Sequence, residues 1–338
     1  MPTPTTRSSN GLTAGGEVEV SGAGVACGVL LPSFDPGRLG TLGRDQVLEA
    51  ARLAEQLEFE SLWAGDHLAC PAPGLDAPTC IAASAAVTER IALGFSVMLL
   101  GLRNPAWTAK QLSSIDLLAG GGRLRLGVGV GGEFPAEFEA AGVPVSQRGA
   151  RLDDSLAVIG DLLTGRPVDF TGRTLTVRAP ALEPALPAVP PIYVGGRGEP
   201  ALRRAARYGD AWMPMWLTPA RIAERAQLLG EMALEQGRPA PRVAPLILVR
   251  IDDDRDHAYA QARAHIAGQY RMELETIERW TLLDSIDGAV EHLHQFVEVG
   301  VSEILLLTLG DDPLQQYERL AEVRARLRAP AASSGAAP

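Results

Sequence analysis

Three features of this 338-residue chain predict an α/β fold of the closed (β/α)₈ type, a TIM barrel. Short apolar runs alternate with amphipathic stretches along most of the sequence; strands buried on both faces read as unbroken apolar runs, so the alternation describes a parallel sheet wrapped by helices. Eight such strands can be counted, the number that closes a barrel rather than leaving an open sheet. The third feature is the stretch Arg123-Leu-Arg-Leu-Gly-Val-Gly-Val-Gly-Gly132, which satisfies the dinucleotide fingerprint at Gly127, Gly129 and Gly132, with Asp153 at a suitable distance for a ribose contact. A dinucleotide fold places that motif in its first βαβ unit and opens a helix directly after it. Here three strand and helix pairs precede it and Glu133-Phe-Pro135 follows, so it reads as the fourth barrel strand, its glycines leaving room above the barrel mouth for a flat ring system.

The elements follow in order. Gly28 to Pro32 is the first strand, and Gln46 to Glu58 its helix, with apolar residues at Val47, Leu48, Ala51, Leu53, Ala54 and Leu57. Glu60 to His67 and Pro78 to Thr88 form unit two; Ile91 to Leu100 and Pro105 to Leu118 form unit three; Arg123 to Gly131 and the helix Arg151 to Leu163 form unit four. Residues 165–190 break the rhythm with prolines and β-formers and read as an inserted hairpin and loop beside the site, between helix four and strand five. Pro191 to Gly196 and Glu199 to Tyr208 resume it, with Pro200 in the first turn, where a missing N–H costs little. Ala211 to Met215, Pro219 to Gln236 and Val243 to Ile251 continue it, and Asp256 to Leu283 reads as helical, with room for a lid. Asp287 to Val299, stopped by Gly300, Glu303 to Leu309 and Pro313 to Leu327 complete the count. One domain over residues 25–328 results, with a disordered leader at 1–24 and a disordered tail at 329–338.

Composition narrows the partners. A net charge of -10 and a single lysine, Lys110, leave no basic face for nucleic acid or an anionic membrane. No apolar run approaches the roughly 18 residues of a membrane span, and residues 1–24 lack the apolar core of a signal peptide. Cys27, Cys70 and Cys80 are too few and too unpatterned for a disulfide scaffold or a zinc cluster, which indicates a reducing cytoplasm and buried thiols. No metal-ligand spacing, nucleophile elbow or Walker loop occurs.

Chemistry in such a barrel sits where strands end. Asp66 and His67 close strand two; they read either as a loop anchor with a helix cap or as a proton-handling pair, and the strand-end position favours the second. Gly195-Gly196-Arg197-Gly198 precedes a helix and reads either as a tight turn with a solvated arginine or as a loop directing N–H groups and a guanidinium at an anion. His257, His265, His292 and His294 lie on outer helices and read as surface residues.

Taken together, Ser61 to His67, Arg103-Asn-Pro105 with Ala109-Lys-Gln111 and Asp116, Gly127 to Gly131, Glu137 to Gly142 with Arg148, Arg151 and Asp153, and Pro191 to Gly196 with Arg203 to Asp210 occur in an order that resembles the bacterial luciferase-like superfamily. That superfamily comprises flavin monooxygenases and deazaflavin (coenzyme F420) oxidoreductases, and the resemblance spans roughly residues 26–328. It implies a barrel, commonly a homodimer, holding an isoalloxazine or deazaflavin ring over its mouth, with a cis non-proline peptide at Ser96-Val97. The cofactor cradle it implies comprises Asp66, His67, Ser96, Val97, Gly129, Gly131, Gly132, Gly195, Gly196, Arg197 and Gly198, with Asp66 and His67 catalytic. The Gly-Asp-His ending is more similar to the deazaflavin branch. Sugar-phosphate dehydrogenases of that branch carry a glutamate where this chain has Gly132, with Glu133 one place on, which argues against oxidation of a sugar phosphate. The implied activity is hydride transfer to or from a small organic substrate, by C=C or C=N reduction, with coenzyme F420; a reduced-FMN monooxygenase using O₂ and a non-catalytic flavin-binding protein are the alternatives.

Overall fold

The computed structural model describes residues 24–328, so the expectations for the first 23 residues and for the tail fall outside the described residues. The chain builds the barrel from β1 (Ala26–Leu30), β2 (Ser61–Ala64), β3 (Ala92–Phe95) and β4 (Leu124–Val128), each joined to the next in parallel. A two-stranded antiparallel hairpin, β5 (Val168–Thr171) and β6 (Thr176–Ala179), then intervenes before β7 (Ile192–Gly195) and β8 (Ala211–Met213). The short β9 (Arg242–Val243) leads into β10 (Leu246–Ile251); β11 (Thr281–Asp284) flanks β10, and β12 (Glu303–Thr308) lies between β10 and β1. Closure is made by Ala244 N–H and Leu246 N–H donating to the carbonyls of Trp212 and Pro214, with a parallel bridge between Met215 and Leu246.

The outer layer is α1 (Arg44–Gln56), α2 (Ala77–Ala85), α3 (Pro105–Leu118), the short α4 (Pro135–Ala140), α5 (Arg148–Leu163), α6 (Glu199–Tyr208), α7 (Pro219–Leu234), α8 (Arg255–Tyr270), α9 (Ile286–Glu298) and α10 (Pro313–Arg328). Why they start where they do is local chemistry. Asn104 accepts from Ala106 N–H and Trp107 N–H and is followed by Pro105, and Asp76, Thr218, Asp254 and Ser285 cap α2, α7, α8 and α9 in the same way. On α1 the buried set Val47, Ala50, Ala51, Ala54 repeats at helical spacing and joins the main apolar core.

The closed end of the barrel is plugged by a polar network. Glu303 accepts from the Ser61 hydroxyl at 3.0 Å and the Tyr193 hydroxyl at 2.8 Å; Trp63 Nε1–H donates to Ser61 and Arg242 to Tyr193. Every member is satisfied, as a buried polar cluster requires, and the open end is left for function.

Three boundaries differ from expectation. The apolar run Ile91 to Leu100 contributes only Ala92–Phe95 to the regular ladder; Ser96-Val97 is a cis peptide, and Leu100–Leu102 is a single helical turn. The segment expected to be helical to Leu283 ends α8 at Tyr270 and finishes as β11, because Leu282 and its neighbours find the edge of β10, a partner distant in sequence. The fourth helix begins at Arg148 instead of Arg151, preceded by the unanticipated α4. Cys27 and Cys80 are buried as expected, whereas Cys70 is half-buried, its Sγ–H donating to the Ala72 carbonyl; burial pushes the Cys27 thiol up to about 12.

Candidate active site

A cavity of about 670 Å³ opens at the carboxyl ends of the strands, a volume that suits a cofactor with a small substrate. Its wall brings together Asp66, His67, Ser96, Val97, Gly129, Gly131, Gly195, Gly196 and Arg197, residues spread over more than a hundred positions of sequence. Gly132 and Gly198 do not reach it, and no residue of 165–190 lines it, so the hairpin packs on α5 instead of flanking the site.

Asp66 is buried and fully engaged. Its Oδ1 accepts from Arg103 Nη2 at 2.7 Å; its Oδ2 accepts from Leu99 N–H at 3.0 Å and Arg103 Nε at 3.2 Å. The carboxylate therefore fastens the chain that follows the cis peptide, while Arg103 reaches on to Asp76.

The glycines near the ends of β4 and β7 serve packing first. A Cβ at Gly129 would stand 2.4 Å from Val97 Cγ2, one at Gly195 2.8 Å from Val97 Cγ1, and one at Gly127 1.8 Å from the Phe95 carbonyl oxygen. Their open space is filled by the end of β3, so Val97, wedged between two glycines, forms part of the cavity floor. Gly131 and Gly132 take positive φ of 57° and 113°, which lets the chain turn away from the barrel before α4.

That turn delivers a residue that the sequence offered only as part of a motif, with no role at the site. Glu137 has no exposed surface; its Oε2 accepts from Leu68 N–H at 3.2 Å and lies 3.2 Å from His67 Nδ1, and its Oε1 has no partner among the described residues. Phe34 and Phe134 meet the His67 ring edge-on, at centroid distances of 5.9 and 5.0 Å. A histidine held at Nδ1 by a carboxylate presents Nε2 for work, the arrangement that sets tautomer and direction in general acid–base sites.

The opposite wall comes from α8, which the sequence presented as an outer helix. Gln261, Ala264, His265 and Gln269 repeat at helical spacing along one face and line the cavity. The helix sits close: a Cβ at Gly268 would fall 2.2 Å from the Pro36 carbonyl oxygen in the loop after β1. His265 is thus not a surface residue. Burial pushes its pKa down to about 4, and its Nδ1 accepts from Gly310 N–H at 3.1 Å. Trp216, also unforeseen, takes a positive φ of 58°, a conformation uncommon for a bulky residue, beneath Arg197 at 5.2 Å and edge-on to Tyr270 at 6.3 Å. The other expected surface histidines do not line the cavity, and His257 pairs with Asp252 at 2.7 Å.

Residues 25–329 match the luciferase-like monooxygenase family. The chain belongs to that family. Among relatives of this luciferase-like protein, an uncharacterised protein of Mycobacterium tuberculosis is 35% identical over 170 residues, half of this chain and 58% of that protein. An F420-dependent glucose-6-phosphate dehydrogenase of Beutenbergia cavernae is 30% identical over 312 residues, 82% of this chain and 91% of that one. In fold, the luciferase-like chain is similar to an F420-dependent secondary alcohol dehydrogenase solved with an F420-acetone adduct, at a TM-score of 0.78 and 20% identity, covering 90% and 99% of the two chains. Such a likeness bears out the (β/α)₈ barrel, and the family is one of oxidoreductases. Among the described residues no cluster suits a metal ion and no helix is long and apolar enough to cross a membrane.

Proposed function

We propose that the protein is a coenzyme F420-dependent oxidoreductase that passes hydride to or from a small organic substrate, with reduction of a C=C or C=N bond as the reaction. The observation that carries this reading is the His67–Glu137 pair on the cavity wall: hydride chemistry of this kind needs one proton delivered or removed at a fixed point, and the family relatives named for F420 share most of the chain's length. Bound in the cavity, the cofactor would supply the hydride; the protein supplies orientation, dryness and the proton.

The residues present fit such a group. The cavity has the volume, Val97 offers an apolar floor between Gly129 and Gly195, and the first turn of α6 begins at Gly198 without a side-chain cap. The exposed Arg197 suits an anionic tail. Ser96, whose hydroxyl donates to Met213 Sδ at 3.4 Å, borders the floor. His67 then acts as the proton donor or acceptor through Nε2, and Glu137 fixes its ring. Asp66, with both oxygens bound to Arg103 and Leu99, positions the segment Ser96 to Leu99 and does not itself exchange a proton. Gly132 and Gly198 shape the loops and do not touch the ring.

A reduced-FMN monooxygenase is the second reading, favoured by the family's description. A deazaflavin has carbon at the ring position where reduced flavin reacts with oxygen, so the two readings separate by dependence on O₂. The test is titration with F420 and FMN separately, then anaerobic and aerobic single turnover of each reduced cofactor with unsaturated and imine substrates. Tighter F420 binding with oxygen-independent oxidation of the reduced cofactor is expected; strict O₂ dependence with reduced FMN and labelled oxygen in the product would replace the first reading with the second. A homodimer is inferred with it, since Trp107, Leu117 and Leu118 stand exposed on α3; sedimentation at a series of concentrations checks this. A cytoplasmic location belongs to the same reading.

A further inference from the structure

We propose that the lobe of the cavity between the β1 loop and α8 binds an uncharged substrate carrying hydroxyl or carboxamide groups, and that it excludes phosphorylated and carboxylated ones; this rests on the hydride-transfer reading of the site. Two independent observations carry it. Four residues that line the cavity hold buried polar atoms with no partner among the described residues: the Ser33 hydroxyl, Gln46 Oε1, Gln269 Oε1 and Trp216 Nε1. Ser33 is 0% exposed and Gln269 5%. Buried polar groups in folded proteins are almost always paired, so these four atoms, sealed within the residues that wall one cavity, gain partners when their side chains turn toward a bound ligand. The set offers acceptors and donors together. Whichever way a carboxamide is turned it presents both, and a hydroxyl or an amide on the substrate does the same.

The second observation is charge. Arg197 is the one lysine or arginine among the described residues lining the cavity, and the proposed cofactor tail occupies it. Four carboxylates, Asp35, Asp66, Glu133 and Asp311, line the same space. Asp66 is neutralised by Arg103, and Asp35 is bonded to Leu39 N–H and Gly40 N–H, which leaves Glu133 and Asp311 without a cation among the described residues. His265 contributes no positive charge near neutral pH, since burial holds its pKa at about 4. A phosphate or carboxylate entering this lobe meets like charge and no counter-ion, whereas a neutral hydrogen-bonding group gives the unpaired atoms of the wall a partner to turn toward. The substrate preference of this chain therefore departs from the sugar phosphate in the name of its Beutenbergia cavernae relative.

The experiment is calorimetric titration of the purified protein, cofactor-free and with oxidised F420, using four probes on one ring: trans-cyclohexane-1,2-diol, cyclohexanecarboxamide, cyclohexanecarboxylate and cyclohexyl phosphate. The neutral pair is expected to bind at least about tenfold tighter than the anions. Gln269→Met and Ser33→Ala should each weaken the neutral probes about three- to tenfold, the loss expected for one hydrogen bond. The melting temperature of Gln269→Met should hold or rise, because an orphaned polar atom has been replaced by an apolar one of similar shape. Anions binding as tightly as the diol, neutral probes that ignore both variants, or a fall in melting temperature without loss of affinity would overturn the assignment. Failure of F420 to bind, with the probe pattern intact, would sink the cofactor reading and leave this one standing.

Discussion

His67 Nδ1 lies 3.2 Å from Oε2 of Glu137, a carboxylate with no exposed surface whose other oxygen has no partner among the described residues. The geometry decides which nitrogen of the ring works. With the carboxylate at Nδ1, the proton of a neutral imidazole is held there and Nε2 is left free. In Glu137→Gln the one atom that meets both Leu68 N–H and the ring can be the amide oxygen, which keeps both bonds but removes the negative charge that steadies a protonated ring. Turnover in Glu137→Gln and in His67→Ala should fall by about 10² to 10⁴, while cofactor affinity changes little. Stopped-flow hydride transfer across a pH series, beside a cofactor titration, checks both. Wild-type rates in Glu137→Gln would make the residue an anchor for Leu68 and nothing more.

Arg197 is exposed and stacks over Trp216 at 5.2 Å, next to the uncapped start of α6. If its guanidinium meets an anionic cofactor tail, Arg197→Ala should cost about 1.5 to 3 kcal/mol, roughly ten- to hundredfold in affinity. Fluorescence titration with F420 reads this directly. An unchanged dissociation constant would leave the arginine with its tryptophan as sole partner.

Gly129 and Val97 interlock, since a Cβ on the first would stand 2.4 Å from the second's Cγ2. Gly129→Ala should destabilise the fold by about 1 to 3 kcal/mol, the usual cost of overpacking. Val97→Ala in the same chain should return part of that loss, so a double-mutant cycle in urea gives a coupling energy. Strict additivity would mean that the wall shifts instead of clashing.

These contacts explain what the sequence made legible and what it hid. Asp66 and His67 could be read because a polar pair ends an apolar strand, and Gly195 to Arg197 because glycines stand between a strand and a helix. The roles of Gly129 and Gly195 could not: a glycine seen in one dimension reports that space is needed, not whether Val97 or a ligand fills it. Glu137 was visible as part of a motif, but its partner lies 70 residues away in sequence. His265 was misread because α8 is polar enough to resemble a solvent-facing helix; its inward face meets the cavity and the loop after β1, contacts that helical periodicity does not encode.

His265 also sets a pH limit. Its pKa is pushed from 6.5 down to about 4 by burial, so the folded state keeps the ring neutral where the unfolded chain already binds a proton. The sign follows from proton counts: stability is complete above the unfolded value, declines as pH falls from about 6.5 toward 4, and declines no further from this group below that. The full shift sets an upper limit of about 3 kcal/mol at 1.36 kcal/mol per unit. His265→Gln offers Gly310 N–H an acceptor that does not titrate, and it should flatten the loss. Urea unfolding of both proteins from about pH 7.5 to about pH 4.5 isolates the contribution, because groups such as Asp154, held below the usual carboxylate range despite burial by Thr174 and neighbouring N–H groups, titrate alike in each and cancel in the difference. Stability curves that stay parallel would mean that His265 protonates as freely folded as unfolded. A neutral ring there, with Nδ1 engaged by Gly310, keeps its proton on Nε2 and adds a donor to the cavity without adding a charge, consistent with a lobe built for uncharged substrates.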